Sequence, residues 1–414
     1  MTTTINNKNK KANVPNLRFP EFQGEWEEST IGGEFGLYSG NTPSRLNKEH
    51  FNGAINWISS GELKEHYIAD TKEKISDEAA KTLKMLPIGT FVIAIYGLEA
   101  DGIRGTGSIT KTEATISQAC MAFTSKGKVQ NEFLYSWYTK HGNVIGIRYA
   151  QGTKQQNLSY DIIEKFKIAY PTFQEQEKLN KFIAPLDERI ATQSKIIDKL
   201  QSLIKGLEDN LLDNPLWEKT YLRSFMQFFP TNSLSWEQLS YKEGAIRNLH
   251  YGLIHSFQTR GINSASLPMI KNEAIPKQYT LCQVGDVAFA DASEDTGEIA
   301  KSVEFVDTIE GNTICGLHTI HGRDIKNRTV VGFKGFAFNS RYFHNQIKRL
   351  AQGTKVFSIT ANNLSSCYVY LPDLETQKAI VNLLKTYEAK LLVSKRLLEH
   401  YEKQKQYLLR QMFI

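Results

Sequence analysis

Two short segments of this 414-residue chain carry side chains suited to contact a polyanion, and they are identical over five residues. Ala150–Lys154 reads AQGTK, and the same letters return 201 positions later at Ala351–Lys355. Lysine, threonine and the main-chain N–H groups of a glycine turn are groups that proteins use to hold phosphate. Apolar periodicity does not explain the repeat as core packing, so we predict that Lys154 and Lys355 contact phosphate.

Four further loops, at 39–45, 102–107, 247–252 and 323–328, combine arginine with small polar, amide or imidazole side chains. Such side chains read base edges or clamp the DNA backbone, although each loop taken alone is more often plain solvated surface. The residues predicted to bind DNA in the first half are Ser39, Asn41, Thr42, Ser44, Arg45, Arg104, Gly152, Thr153, Lys154, Gln155 and Asn157. Those in the second half are Arg247, Asn248, His250, Tyr251, Gly353, Thr354 and Lys355.

Motifs that carry catalysis are missing from the sequence. Asn214–Trp217 reads NPLW and lacks the second proline of the loop that holds a flipped adenine in methyltransferases. There is no G-x-x-x-x-G-K-[ST] phosphate loop, no H-E-x-x-H helix and no carboxylate cluster for Mg²⁺. The four cysteines are far apart without a C-x-x-C pair, which fits a reducing cytoplasm and argues against a zinc site. We predict no catalytic residue, metal site or cofactor in this chain.

The composition is that of a folded protein outside the membrane. Hydrophobic residues make up 41% of the chain, and the net charge of +6 permits a polyanion partner without requiring one. The longest apolar run, Phe91–Tyr96, is too short to span a bilayer. Residues 1–13 are polar and lack the apolar core of a signal peptide, so we expect a disordered tail and a cytoplasmic location.

The repeat continues beyond the AQGTK segments for about sixty residues, and after its proline each copy predicts one long helix. Apolar residues recur at steps of three and four, which is typical of a coiled-coil seam. Predicted seam residues are Leu179, Ile183, Leu186, Ile190, Gln193, Ile197, Leu200, Ile380, Leu384, Leu391, Ser394 and Leu398. The alternative is two amphipathic helices, each packing on its own domain. Antiparallel pairing would let Gln193 meet Ser394 and would place Lys405 near Phe182, with its ammonium in water.

These patterns predict an α+β fold with two mixed globular regions, each followed by a long helix, the two helices pairing as an antiparallel coiled coil. The predicted boundaries are a tail at 1–13, globular regions at 14–171 and 214–371, and helices at 172–213 and 372–414. The globular regions match only loosely: Trp26-Glu27 echoes Trp236-Glu237, and Gly89 echoes Gly285, each before a strand-like run. A duplicated frame with divergent globular regions indicates one task performed twice on different targets, and the alternative is simple sequence drift.

At these residues the chain resembles the specificity subunit of type I restriction–modification systems. The resemblance covers nearly the whole chain and rests on the domain–helix–domain–helix order and several short motifs. These are GTKQQNLS at Gly152–Ser159, the Pro-x-x-x-x-Gln helix starts at Pro171 and Pro372, SGNTPS at Ser39–Ser44 and WIS at Trp57–Ser59. The second copy departs from the pattern, because VFSIT at Val356–Thr360 follows its Gly-Thr-Lys without Asn-Leu-Ser.

The resemblance implies two target-recognition domains that each read half of a split double-stranded DNA sequence, with the helices as a ruler between them. It also implies two methyltransferase (modification) subunits, which use S-adenosylmethionine, and two motor-nuclease (restriction) subunits, which use ATP and Mg²⁺. The specificity subunit itself is then non-catalytic. Two other classes remain open on the residues alone: a coiled-coil scaffold that does not bind DNA, and a fused methyltransferase, which the missing catalytic loop disfavours.

Overall fold

The computed structural model describes residues 13–100, 102–152, 154–257, 259–307 and 312–414. The chain divides into two compact units: unit 1 comprises the chain up to Ser194 together with Leu397–Ile414, and unit 2 comprises Lys195–Arg396. Domain 1 is the globular part of unit 1, and domain 2 is the globular part of unit 2. The tail predicted at 1–13 falls almost entirely outside the described residues.

Domain 1 is built on a five-stranded sheet whose central strand, Phe91–Ala94, is fully buried. The apolar run that formed the longest hydrophobic stretch of the sequence therefore lies in the core, covered by the helix Asn131–Tyr149. In sheet order the strands are Phe35–Ser39, Cys120–Ser125, Phe91–Ala94, Gly107–Thr110 and Tyr67–Ile68. All neighbours are antiparallel except the last pair, which is parallel.

Two smaller sheets and short helices complete domain 1. The small sheets are Lys74–Ile75, Ile55–Ile58 and Ala114–Ile116, and Glu27–Thr30 with Lys167–Tyr170. The short α-helices are Ile31–Glu34, Asp77–Ala80 and Tyr160–Ile163, and the 3-10 helices are Lys48–Phe51 and Ser60–Glu62.

Domain 2 repeats this plan. Its five-stranded sheet runs, in the same order, Met226–Phe229, Thr319–Asp324, Val287–Ala290, Ser302–Phe305 and Gly261–Ile262. The other strands are Leu239–Ser240, Met269–Ile270, Ile246–Leu249 and Asn312–Cys315 in one sheet, Glu218–Tyr221 with Tyr368–Leu371, and Ala292–Ser293 with Phe357–Ser358. Its α-helices are Tyr251–Ser256, Phe333–Ala337, Arg341–Leu350 and Ala361–Ser366; its 3-10 helices are Leu222–Ser224, Trp236–Gln238, Ser264–Ser266 and Asn272–Ala274.

The strand order shows which sequence echoes are genuine. Gly89 and Gly285, with φ of 82° and 88°, turn the chain into the central strand of each domain, so that echo is confirmed. The pairing of Trp26 with Trp236 is wrong. Trp217 is the counterpart of Trp26, because each of these two residues immediately precedes the first strand of its domain, whereas Trp236 begins a 3-10 helix.

Two long helices, Phe173–Leu212 and Leu374–Met412, form the rest of the chain. Unit 1 contains the start of the first helix and the end of the second, whereas unit 2 contains the end of the first and the start of the second. In unit 1, Leu179 and Leu409 belong to one apolar cluster, and in unit 2, Leu212 and Leu384 belong to another. Both packings are antiparallel, as the predicted fold class requires.

Burial along the helices follows the predicted seam. Leu179, Ile183, Leu186, Gln193, Ile197, Ile380 and Leu384 are buried, and Ile190, Leu200, Leu391, Ser394 and Leu398 are half-buried. Lys405 departs from its prediction, because its ammonium pairs with Asp187 in the interior of unit 1 instead of reaching water near Phe182. Gln193 belongs to unit 1 and Ser394 to unit 2, so their meeting in one layer stays a prediction.

Candidate nucleic-acid interface

The first AQGTK segment forms a closed loop on domain 1. Gln151 and Asn157 exchange two backbone hydrogen bonds, with N···O distances of 2.8 and 2.9 Å. Gly152 adopts φ +105°, and a Cβ there would lie 2.1 Å from the carbonyl oxygen of Gln155, so the loop needs glycine. Lys154 and Gln155 are exposed on this loop and Asn157 is half-buried, whereas Thr153 lies outside the described residues.

The second copy forms the same loop on domain 2. Gln352 and Ser358 exchange backbone hydrogen bonds of 3.0 and 2.8 Å, and Gly353 has φ +126°. The two hydrogen bonds between Gln352 and Ser358 use only main-chain groups, so serine can stand at the position that asparagine occupies in the first copy. Thr354 and Lys355 are exposed. The departure from the Asn-Leu-Ser motif therefore leaves the two closing hydrogen bonds and the positive φ of the glycine in place.

Both loops lie next to the segment that leaves the central strand of their domain. In domain 1, Leu98 N donates to Gln156 O at 3.1 Å and Leu158 N donates to Ile95 O at 2.9 Å. In domain 2, the strand Ala292–Ser293 pairs with Phe357–Ser358. The duplicated loop is thus held at the same place on two domains of different sequence.

The loop at 39–45 leaves an edge strand of the main sheet of domain 1 and is largely exposed. Ser39, Asn41, Ser44 and Arg45 are exposed and Thr42 is half-buried. The Asn41 side chain accepts a hydrogen bond from the N–H of Thr42 at 2.8 Å, and the Thr42 hydroxyl bonds to Gln118. Arg45 forms a bidentate ion pair with Glu73 at 2.9 and 2.8 Å, and its guanidinium lies 4.5 Å from the ring centre of Phe51.

Arg104, the arginine of the glycine-rich loop, supports the AQGTK loop of domain 1. Its guanidinium donates to the Gln156 side chain at 2.8 Å, and its stem packs so closely on Gly146 that a Cβ there would lie 2.6 Å from Cγ. Glu99 accepts from the Gln156 N–H at 2.7 Å. Arg104 and Glu99 therefore fix this loop through Gln156, a residue that sequence reasoning did not single out.

The predicted reader loop of domain 2 is mostly structural. Arg247 donates to the carbonyls of Ala265 and Leu267 at 2.8 and 3.0 Å. Asn248 is fully buried, and its amide donates to another side chain. His250 is buried too, and its Nδ1 accepts from the helix N–H two residues on, so its imidazole is neutral; burial lowers its pKa. Burial of Asn248 and His250 therefore argues against the prediction that they contact DNA. The half-buried Tyr251 remains a candidate beside Arg247.

The Pro-x-x-x-x-Gln motif has a clear structural role. Gln176 accepts from the N–H of Gln130 at 2.9 Å and donates to the carbonyls of Lys128 and Pro171, both at 2.9 Å. Its counterpart 201 residues on repeats this set, bonding to the N–H of Val330 and to two carbonyls at 3.0 Å. Each buried amide ties the first turn of a long helix to its own domain.

A buried charged cluster anchors domain 1 to the helices of unit 1. His66 lies between the rings of Tyr67 and Tyr135, with ring centres 4.0 and 3.9 Å away. Its Nε2 lies 2.8 Å from Glu132 and its Nδ1 lies 3.1 Å from Asp187, so both ring nitrogens face carboxylates, which favours the protonated ring. Burial alone would lower the pKa of His66, but Asp187 and then Glu132 outweigh burial and raise it.

Unit 2 has a different cluster at the matching position. Glu388, the counterpart of Asp187, accepts a hydrogen bond from the backbone N–H of Arg260 at 3.3 Å, and the guanidinium of Arg260 lies 3.8 Å from Glu208. Burial, aided by the charge of Glu208, raises the pKa of Glu388 to about 7 despite Arg260. Each domain thus meets a carboxylate at the same point of the helix that follows it, through the His66 side chain in domain 1 and the backbone N–H of Arg260 in domain 2.

Comparison with known proteins agrees with this architecture. The chain matches the family described as type I restriction modification DNA specificity domain over residues 23–202 and 316–402. The type I restriction enzyme MjaVIII specificity subunit of Methanocaldococcus jannaschii is 22% identical over 407 residues, which cover 94% of this chain and 91% of that protein. The MjaIX specificity subunit of the same organism is 26% identical over 192 residues, covering 45% of this chain and 43% of that protein.

A solved structure shares the fold. The S subunit of the type I restriction–modification system from M. genitalium superposes with a TM-score of 0.61 at 15% identity, over 97% of this chain and 99% of that one. Across the described part of the chain, no helix has the length and apolar character needed to cross a bilayer. From its family match, its duplicated recognition fold and its paired helices, the chain belongs to the type I restriction–modification DNA specificity family, whose members are the non-catalytic, DNA-recognising subunits of these systems.

Proposed function

We propose that this subunit reads a bipartite target on double-stranded DNA, one half-site through each domain, and that its long helices dock two modification and two restriction subunits. One observation carries the proposal: two domains of unlike sequence share one strand order and hold the same Gly-Thr-Lys loop at the same place. A duplicated frame with diverged surfaces suits two different half-sites. The predicted limits 14–171, 172–213, 214–371 and 372–414 remain our proposed division of the chain.

In this proposal the two closed loops hold the DNA backbone. Lys154 and Lys355 are exposed, and loops closed by backbone hydrogen bonds present them with little ordering cost on binding. A lysine contact with phosphate adds affinity without base preference, so it suits residues that are identical in two domains with different targets. Base reading then belongs to the surfaces that differ, including the loop at 39–45 in domain 1 and the surroundings of Tyr251 in domain 2.

Docking of partners is supported by an exposed stripe that the repeat duplicates. Phe182, Ile196 and Leu203 recur at multiples of seven along the first helix and are exposed. At the counterpart positions the second helix exposes Leu383 and Leu397. Apolar side chains at this spacing are typical of a helix face that binds a groove or another helix. Two copies of one stripe suit two copies of one partner, for which we propose the modification subunit.

Under this proposal the chemistry resides in the partners. S-adenosylmethionine belongs to the modification subunits, and ATP and Mg²⁺ belong to the restriction subunits. The test is to express this chain with a modification subunit and to map methylated adenines in the cellular DNA. The proposal expects one motif made of two specified blocks separated by unspecified bases, and a single continuous motif would contradict it.

Docking has its own test. Ile196→Glu with Leu397→Glu places a charge in both copies of the stripe and should reduce co-purification of the modification subunit at least tenfold. Lys199→Glu with His400→Glu, at exposed positions of the same helices, is the matched control. Equal recovery of the modification subunit with both double variants would show that the stripe does not bind it.

A further inference from the structure

Three side chains with metal-binding atoms meet in the interior of domain 2. The ligand atoms of Cys282, Cys315 and His321 all lie within 4.8 Å of one another, and all three residues are buried. The sequence pattern indicated no metal site, because no two of these residues have the short spacing of a zinc motif. The fold brings Cys315 and His321 together from two strands, and Cys282 from the segment that precedes the central strand Val287–Ala290.

The backbone around the cluster is firmly held. Cys315 ends the strand Asn312–Cys315, and the N–H of Cys282 donates to the carbonyl of Thr313 in that strand at 2.8 Å. His321 lies within the strand Thr319–Asp324, which pairs on both sides in the five-stranded sheet. The three side chains therefore project from paired backbone, the kind of rigid support that a metal site needs.

The sulfur separation fits two thiolates on one ion. Sγ of Cys282 lies 3.6 Å from Sγ of Cys315, well beyond the length of about 2.05 Å of a disulfide. Two sulfurs each about 2.3 Å from a tetrahedral Zn²⁺ are separated by roughly 3.8 Å. The observed distance thus needs little adjustment for shared coordination.

His321 has the carboxylate partner that metal-binding histidines use. Its Nε2 lies 2.7 Å from Oδ2 of Asp286, and both side chains are 1% exposed. Asp286 is itself fixed by Arg323, which donates at 2.8 and 2.7 Å, and by the N–H of Gln283 at 2.8 Å. A carboxylate that accepts one ring N–H of histidine orients the other nitrogen toward a metal and increases its basicity.

We propose that Cys282, Cys315 and His321 bind one Zn²⁺ ion through two thiolates and the imidazole Nδ1, with Asp286 as the outer partner of His321 and a water molecule as fourth ligand. Binding releases the two thiol protons, so the ion and its ligands are together neutral, which suits a buried site.

The site would stiffen the region around the proposed reader loop. Cys315 pairs with Leu249 in parallel strands, and Leu249 is followed directly by His250, which caps the helix that begins at Tyr251. A metal ion bound here would fix the strand end that leads into Tyr251. The metal proposal itself depends on the three ligands alone and does not require the DNA-binding role.

The test is the metal content of the purified full-length chain after incubation with Zn²⁺ and removal of free metal, measured by inductively coupled plasma mass spectrometry. The proposal expects about one zinc per chain, lost in Cys282→Ala and Cys315→Ala but kept in Cys120→Ala and Cys367→Ala, which alter the other two buried cysteines. A metal content that is low in the wild type, or equal in all four variants, would overturn it.

A second measurement avoids dependence on variants that fold poorly. The wild-type chain loaded with Co²⁺ should show thiolate-to-cobalt charge-transfer absorption in the near ultraviolet, which a chelator removes. Absence of that absorption in the folded chain would overturn the proposal. So would a mass spectrum showing that Cys282 and Cys315 are joined as a disulfide.

Discussion

Asp187 of the first long helix and Lys405 of the second form an ion pair inside unit 1, with side chains only 5% and 11% exposed. The same carboxylate contacts His66, and the Lys405 ammonium lies 3.2 Å from the hydroxyl of Tyr135. One buried carboxylate therefore joins both helices to domain 1. Domain 1 depends on a helix that follows domain 2 in the sequence.

Lys405→Met should destabilise unit 1 by about 3–5 kcal/mol, because the buried carboxylate of Asp187 then lacks its ion pair with the Lys405 ammonium. Thermal and urea unfolding of the full chain measure the effect. Lys403→Met is the matched control, since Lys403 pairs with Glu399 on the exposed side of the same helix and such exposed pairs contribute little to stability.

Combining Lys405→Met with Asp187→Asn should recover part of the lost stability, because it removes the buried charge that the single variant leaves unpaired. If Lys405→Met and Lys403→Met were equally mild, the ion pair would not be the anchor described here.

His66 should make the stability of unit 1 depend on pH above neutrality. The pKa of His66 is raised over its ordinary 6.5, so its contribution is complete below 6.5 and is lost as pH rises through the folded-state value. The wild type should melt at a higher temperature than His66→Gln. The difference between the two melting temperatures should be largest near pH 6 and smaller at pH 9. His400→Gln, at an exposed position, is the control. A gap that widens with pH would refute a protonated His66.

Glu388→Gln should stabilise unit 2 at pH 8 by at most about 3 kcal/mol. The pKa of Glu388 is raised to about 7 from 4.5, mainly by burial. Ionisation of Glu388 therefore destabilises the folded state as pH rises through this range. The gain should vanish at about pH 4, where the wild-type carboxyl is neutral in the unfolded state as well as in the folded state. Glu402→Gln, an exposed position on the same helix, is the control in melts at both pH values. Destabilisation at pH 8 would mean that the attraction of Arg260 outweighs burial.

Lys154→Ala and Lys355→Ala should each weaken binding to cognate and unrelated duplex DNA alike. Each should also reduce the slope of log K against log salt by about one, because a phosphate contact releases counterions without reading bases. Fluorescence anisotropy over a range of salt concentrations measures both effects. Lys165→Ala, at an exposed lysine outside the loop, serves as the control. A loss confined to the cognate sequence would instead identify base readers.

The sequence predicted the features that repeat or follow a period. Heptad spacing located both helices, and the Gln176 and Gln377 motif marked the turn where each helix is tied to its domain. Features that depend on side chains meeting from distant positions were not predictable. Lys405 occupies a seam position where a long polar side chain usually reaches water. Only the three-dimensional fold shows that its ammonium contacts Asp187 and Tyr135.

The candidate DNA contacts were predicted from residue type, and residue type does not reveal burial. Asn248 and His250 look like base readers in the sequence, yet Asn248 is buried in the strand Ile246–Leu249 and His250 is buried at the start of the helix Tyr251–Ser256. Arg45 and Arg104 are exposed or half-buried but hold partners within domain 1. Lys154 and Lys355 remain the strongest candidates because the backbone closes their loops and leaves the lysines at the surface.

The most direct test of the central claim exchanges domain 1 while keeping domain 2 and both helices. Residues 14–170 are replaced by the equivalent domain of a relative with a different target, and adenine methylation is mapped in cells that also carry the modification subunit. If each domain reads its own half-site, one block of the methylated motif changes to that of the relative and the other block stays the same. A motif in which both blocks change together would contradict independent reading by the two domains.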